Sequence, residues 1–271
     1  TAIGSGAMDQ NTTGTDNTAV GWRAMYTNNG DYNTAVGNYA LYANTTGAQN
    51  VSVGMVALSA NTTGGGNVAV GANALQSNTT GGQNAAVGAS ALNAANASNN
   101  TAVGYQALTA NTTGTKNVAI GANALDANTE GDANIAIGRD ALGANTTADE
   151  NTAVGADALL LNTTGKRNVS IGAYSLDANT TADLNTAVGY AALSSNTTGS
   201  PNTAVGGYTL VLNTIGVRNT AIGYYALYAN TTGSNNTALG ESTLSSNTTA
   251  NNNTALGYNG LTANTTGTQN T

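Results

Sequence analysis

The chain contains no cysteine, histidine or phenylalanine, a single proline (Pro201) and a single tryptophan (Trp22). Without His and Cys, the usual general base, thiolate nucleophile and transition-metal ligands are missing. The chain is therefore read as a non-enzyme with no cofactor and no metal. The lack of cysteine also rules out a disulfide framework, although it leaves secretion open, because a stacked repeat is another route to stability. Charged residues make up 7% of the chain and aromatics 5%. Six Lys and Arg over 271 residues, with a net charge of −7, cannot build a phosphate-tracking surface, so nucleic acid is not an expected partner. No stretch approaches the ~18 consecutive apolar residues that a membrane span requires, so no membrane insertion is expected. Thr1-Ala2-Ile3-Gly4 carries neither a basic segment nor a signal-peptide core.

What is present is repetition. Asn recurs at Asn17, Asn33, Asn50, Asn67, Asn84, Asn100, Asn117, Asn134, Asn151, Asn168, Asn185, Asn202, Asn219, Asn236, Asn253 and Asn270. The step is 17 residues, shortened to 16 into Asn33 and into Asn100. Sixteen copies account for residues 1–270, with no linker, and repeats of this period signal a solenoid. The chain opens within a copy and Thr271 starts another, which reads as a single domain, 1–271, cut from a longer chain.

With the columns numbered one to seventeen from the residue after the recurring Asn, column three is always Val, Ile or Leu and column eight always Leu or Met. On a two-residue strand period, columns one and three are expected to face a narrow core, with eight and ten on a second inward face. All nineteen charges fall in columns five, six, nine, thirteen, fifteen and sixteen; Trp22 and all twelve Tyr fall in five, six, nine or sixteen. An interior that excludes every ring is thin. Helix is the rival reading of an Ala-rich repeat. It fails because Gly in column four and the turn-prone Asn-Thr-Thr-Gly leave about ten residues at most, a marginal length. The expected fold is all-β: a parallel β-solenoid of sixteen coils of about 17 residues. Asn in columns eleven and seventeen is expected to stack into side-chain amide ladders.

The strings Asn117-Val118-Ala119-Ile120-Gly121, Asn134-Ile135-Ala136-Ile137-Gly138 and Asn168-Val169-Ser170-Ile171-Gly172 resemble the head repeat of YadA-like trimeric autotransporter adhesins. The wider pattern Asn-Thr-Ala-Val-Gly-x-x-Ala-Leu is similar to bacterial and phage tail-fibre-like repeat proteins. The resemblance covers the whole chain through a short motif. It implies a β-roll, surface display, trimerisation and adhesion. The coil here is near 17 residues where the adhesin repeat is near 14, and the family's neck and coiled-coil stalk are absent.

Carboxylate pairs are the one catalytic device the composition permits. Asp149 with Glu150, Asp126 with Asp140, and Glu130 with Asp132 occupy outward columns with no insertion to build a cleft, which reads as solvated surface charge. The twelve Asn-Thr-Thr strings make Asn11, Asn44, Asn61, Asn78, Asn111, Asn145, Asn162, Asn179, Asn196, Asn230, Asn247 and Asn264 formal N-glycosylation acceptors. Asn128 and Asn213 keep the Asn without the sequon, which favours a turn or ladder role. Thr in columns twelve and thirteen suggests ice binding but would give one outward file, not two. Column two is Ala in fourteen copies and Ser in two. Its residues Ala19, Ala35, Ala69, Ala86, Ala102, Ala119, Ala136, Ala153, Ala187, Ala204 and Ala221 read either as a flat, chargeless interface along the rod or as a second interior layer. Tyr190, Tyr208, Tyr224, Tyr225 and Tyr258 could stack on sugars, on partner subunits, or decorate a corner.

The expected function is a structural, adhesive component of an extracellular, cell-surface or virion fibre. It self-associates as a trimer or as a head-to-tail or lateral fibre, with surface glycans as further partners. The alternative is a binding module for glycan or ice on exposed Thr or Tyr columns.

Overall fold

The computed structural model describes residues 1–271. The chain divides into two compact units, Thr1–Asn134 and Ile135–Thr271. The first holds β1 (Ala2–Ile3), β2 (Thr18–Val20), β3 (Thr34–Val36), β4 (Val51–Val53), β5 (Val68–Val70), β6 (Ala85–Val87), β7 (Thr101–Val103) and β8 (Val118–Ile120). The second holds β9 (Ile135–Ile137), β10 (Thr152–Val154), β11 (Val169–Ile171), β12 (Thr186–Val188), β13 (Thr203–Val205), β14 (Thr220–Ile222), β15 (Thr237–Leu239) and β16 (Thr254–Leu256). Within each unit every strand pairs in parallel with the next, column matched to column, as in Ala86↔Ala102 and Ala187↔Ala204. Each unit is thus a parallel β-solenoid with one coil per repeat.

Three-residue strands cannot hold such a stack by themselves, so the corners contribute. Columns six, eight and sixteen adopt positive φ in nearly every coil without glycine, as at Tyr39 (56°), Leu41 (52°) and Gln49 (59°). Each costs about 1–2 kcal/mol relative to the right-handed region. The gain is that the column-six and column-eight amides reach the two neighbouring coils in opposite directions. Tyr39 N donates back to Trp22 O at 3.0 Å, and Leu41 N donates forward to Ala57 O at 3.0 Å. The unbranched Cβ of Leu or Met in column eight suits this positive φ, although column six accepts a β-branched Val56 at 60°. Column four needs glycine for two reasons. Gly37 lies at φ 136°, and a Cβ there would sit 2.5 Å from Gly54 O.

The interior is lined by columns two, seven, eight, eleven, fourteen and seventeen. Ala102, Ala107 and Leu108 are 0% exposed, and Asn111 and Asn117 are equally buried. Two amide ladders run through it. In column eleven Nδ2 donates to Oδ1 of the preceding coil, as in Asn61 to Asn44 (2.8 Å) and Asn230 to Asn213 (2.8 Å). In column seventeen Oδ1 accepts the backbone N–H of the following Asn, as Asn33 does from Asn50 (2.9 Å). The ladders converge on the column-fourteen carbonyl: Gly47 O accepts from Asn44 Nδ2 at 2.7 Å and from Asn33 Nδ2 at 2.9 Å. Both lone pairs of a buried carbonyl are used, as burial away from water demands.

The inward face is the reverse of the one expected for the strands. Column three faces out: Val103 is 36% exposed and Leu239 44%. Column one faces out beside it, with Val51, Val68 and Ile135 exposed. The interface reading of Ala19, Ala35, Ala69, Ala86, Ala102, Ala119, Ala136, Ala153, Ala187, Ala204 and Ala221 is overturned, because all of them are 0% exposed and form the second interior layer. The two-residue period allows either face inward. Putting Asn of column seventeen inside satisfies its amide, and that forces Ala of column two inside with it.

The 16-residue coils show how the stack absorbs a deletion. They lack one residue of the Asn-Thr-Thr-Gly turn and carry Asn29 and Asn96 in column twelve. The Asn29 side-chain oxygen accepts the backbone amides of Thr12 (2.8 Å) and Thr13 (3.2 Å). In full-length coils a backbone carbonyl does this, as Thr62 O does for Thr45 and Thr46. At Asn96 the shortened coil also places Ala95 in column eleven, where no amide is available. Asn78 Oδ1 is consequently buried with no hydrogen-bond partner.

Three outcomes are expected in urea unfolding followed by circular dichroism. Ala102→Val overpacks the interior and costs about 1–3 kcal/mol, whereas Val103→Thr on the outward face stays within about 0.5 kcal/mol. Ala95→Asn places an amide next to the orphaned Asn78 Oδ1 and offers Asn111 an oxygen, as Asn28 offers Asn44 in the other short coil, and is expected to stabilise by about 1–2 kcal/mol.

Candidate interaction surfaces

Three surfaces carry the side chains that could meet a partner. The first is the outward face of each sheet. In-register pairing aligns columns one and three into two files, for example Val51, Val68, Ala85 beside Val53, Val70, Val87. No charge occurs in columns one to four of any copy. In residues 186–254 column one becomes an unbroken file of Thr: Thr186, Thr203, Thr220, Thr237 and Thr254.

The second surface is the corner made by columns five, six and nine, where aromatic side chains collect. In the first unit Trp22 meets Tyr39 edge-on at 4.8 Å, and Tyr26 stacks on Tyr42 at 5.4 Å. In the second unit Tyr174, Tyr190, Tyr208, Tyr224, Tyr225 and Tyr228 form a continuous chain of ring contacts from 4.2 to 6.2 Å. Burial is the first cause raising the Tyr208 pKa, and a hydrogen bond with Tyr224 is the first cause raising that of Tyr225. Tyr258, expected to join this group, is exposed and makes no ring contact with it.

The third is a charged strip in columns fifteen and sixteen of the second unit. Lys166 pairs with Asp149 at 2.6 Å and Arg167 with Glu150 at 2.7 Å. The Asp149 hydrogen bond holds the Lys166 ammonium above its ordinary pKa. The candidate pair Asp149 and Glu150 is therefore tied up in ion pairs on the surface. Asp126 falls in the first unit and Asp140 in the second, where Asp140 pairs with Arg139. Glu130 is exposed, and Asp132 Oδ1 accepts from Thr115 N at 2.6 Å, capping a turn amide of the preceding coil. No group of three or more acidic side chains is placed to hold a metal ion. No helix is long and apolar enough to cross a membrane.

The glycosylation candidates require correction. Asn44, Asn61, Asn78, Asn111, Asn145, Asn162, Asn179, Asn196, Asn230 and Asn247 are 0% exposed, and their amide nitrogens donate within the interior. Asn11 and Asn264 are half-buried and likewise donate, to Gly14 O and Gly267 O. A sugar on a ladder nitrogen would occupy the space of the adjacent coil. The chain matches no protein-family model and no curated protein.

Nothing in the repeat pattern singles out Asp177, a column-nine residue like other surface acids. Its Oδ1 is buried with no hydrogen-bond partner. Burial pushes its pKa up, and the nearby Asp157 adds to this. The folded state therefore holds this proton more tightly than the unfolded chain does. The associated stability is present below the ordinary carboxylate range and lost as pH rises through the raised value. Asp177→Asn is expected to raise the urea midpoint at pH 7, and the gain should shrink toward pH 3; a pH series of unfolding curves checks this.

Proposed function

We propose that the chain is a structural segment of an extracellular or virion-associated fibre, whose aliphatic sheet face packs laterally against further copies. One observation carries the reading. Every strand presents a Val, Ile or Leu of column three to the outside, on a face with no charge and no ring. A sheet face of this kind is covered in ordinary folds, since parallel sheets usually have both faces buried. Much of the rest of the coil is committed to its neighbours through backbone amides, Asn amides and Thr hydroxyls, as in Leu41 N to Ala57 O, Asn61 Nδ2 to Asn44 Oδ1 and Thr62 Oγ1 to Thr79 O. A repeat whose stability is a sum over identical interfaces suits length and mechanical regularity. The similarity of the Asn-x-Ala-Ile-Gly strings to YadA-like adhesin heads and tail-fibre-like repeats points the same way, toward surface display and a trimeric or lateral assembly.

A binding-module reading has one observation of its own, the Thr file from Thr186 to Thr254 beside column three. It is one Thr file paired with the aliphatic file of column three, a regular two-file array though not one of Thr in both files. Ice is the partner such an array would fit.

Analytical ultracentrifugation with electron microscopy separates the two. The native chain is expected to form concentration-dependent assemblies. Val87→Lys with Val103→Lys, which leaves the interior untouched, should weaken assembly at least about tenfold without altering the β-sheet circular dichroism. A native chain that stays monomeric at high concentration overturns the fibre reading. Thermal hysteresis from that monomer would favour the ice reading.

A further inference from the structure

We propose that the aromatic corner around Arg23 in the first unit is a binding site for an acidic saccharide. It contains the only tryptophan of the chain, Trp22, which is 45% exposed. The Arg23 guanidinium carbon lies 5.3 Å from the ring centroids of both Trp22 and Tyr26. Tyr39 and Tyr42 extend the surface into the next coil, with Tyr39 and Tyr42 edge-on at 5.2 Å. Gln10 Nε2 reaches Tyr26 Oη at 3.3 Å from the coil before. Column six of that preceding coil is Gly6, where a Cβ would come within 3.2 Å of Arg23 Cγ, so the glycine leaves room for the arginine stem.

The charge of Arg23 is what selects the ligand. Arg139, Lys166 and Arg167 are each paired with carboxylates, whereas Arg23 has no acidic partner and rests on two rings. A guanidinium lying on aromatic faces keeps its in-plane N–H groups available for a forked pair of hydrogen bonds. A complementary ligand presents a carboxylate to that fork and an apolar ring face to the aromatics. A pyranose bearing a carboxylate, as in sialic or uronic acids, has both. A single cation does not track a phosphate backbone, so nucleic acid does not fit. The site stands apart from the aliphatic sheet face, and neither reading depends on the other.

Because Trp22 is unique, its fluorescence reports on this site alone. The full chain is titrated with sialyllactose and with trigalacturonic acid, using lactose and acetate as controls. A saturable emission change is expected with an acidic sugar, with lactose and acetate at least about tenfold weaker. Arg23→Gln should weaken acidic-sugar binding by about tenfold, and Trp22→Ala, followed by calorimetry, should abolish it. Both side chains are on the surface, and unchanged circular dichroism confirms the fold. No saturable response to either acidic sugar overturns the proposal. So does an equal response to acetate, marking a simple anion contact, or unchanged affinity in Arg23→Gln.

Discussion

The constraint on which the structure depends is the hydrogen bonding of buried asparagine amides. An amide sealed from water must find partners for both its oxygen and its nitrogen, and an unpaired one costs about 1–3 kcal/mol. In columns eleven and seventeen the partner is the corresponding residue one coil away. That condition fixes the spacing of the coils and the register of every strand. It also keeps the two walls of the coil close together. Only small side chains fit opposite the ladders, Ala in most coils and Ser52, Ser170, Ser175, Thr209 or Thr243 in others, and Leu or Met fills the one wider position. Aromatic residues are excluded from the interior for this reason.

The same condition determines the surface. Because the amides take the inward side of the strand, the β-branched residues of columns one and three are turned out. Hydrophobic side chains thus become the exterior of a sheet whose interior is half polar. This inversion costs nothing in strand geometry, since either face of a two-residue period may be buried. It leaves a chargeless aliphatic strip along each unit, with the aromatic and charged residues confined to corners and turns. Packing, recognition and solubility are then assigned to different columns of one repeat.

The short coils show that the ladder tolerates change only where a substitute atom is supplied. Removing one turn residue takes away a backbone carbonyl that accepts two amides. Asn29 replaces it with a side-chain oxygen at the same place. Where Ala95 replaces the ladder Asn, no substitute exists, and the cost is visible as the orphaned oxygen of Asn78.

The sequence alone determined the repeat, the β-solenoid and the outward position of the charges and rings, because each depends on a period that is read directly from one chain. It also announced the Asn ladders, through residues such as Asn128 and Asn213 that keep the amide while losing the sequon. The face of the strand could not be read in this way. Val103 and Ala102 are adjacent, and hydrophobicity favours burying the first. Only the tertiary structure decided for Ala102, because the competing term, satisfaction of Asn100 and Asn117 across neighbouring coils, exists only once the coils are stacked. The same is true of the Arg23 corner. Trp22 and Tyr26 lie in one coil and Tyr39 and Tyr42 in the next, spread over columns five, six and nine, and their meeting is a property of the stack.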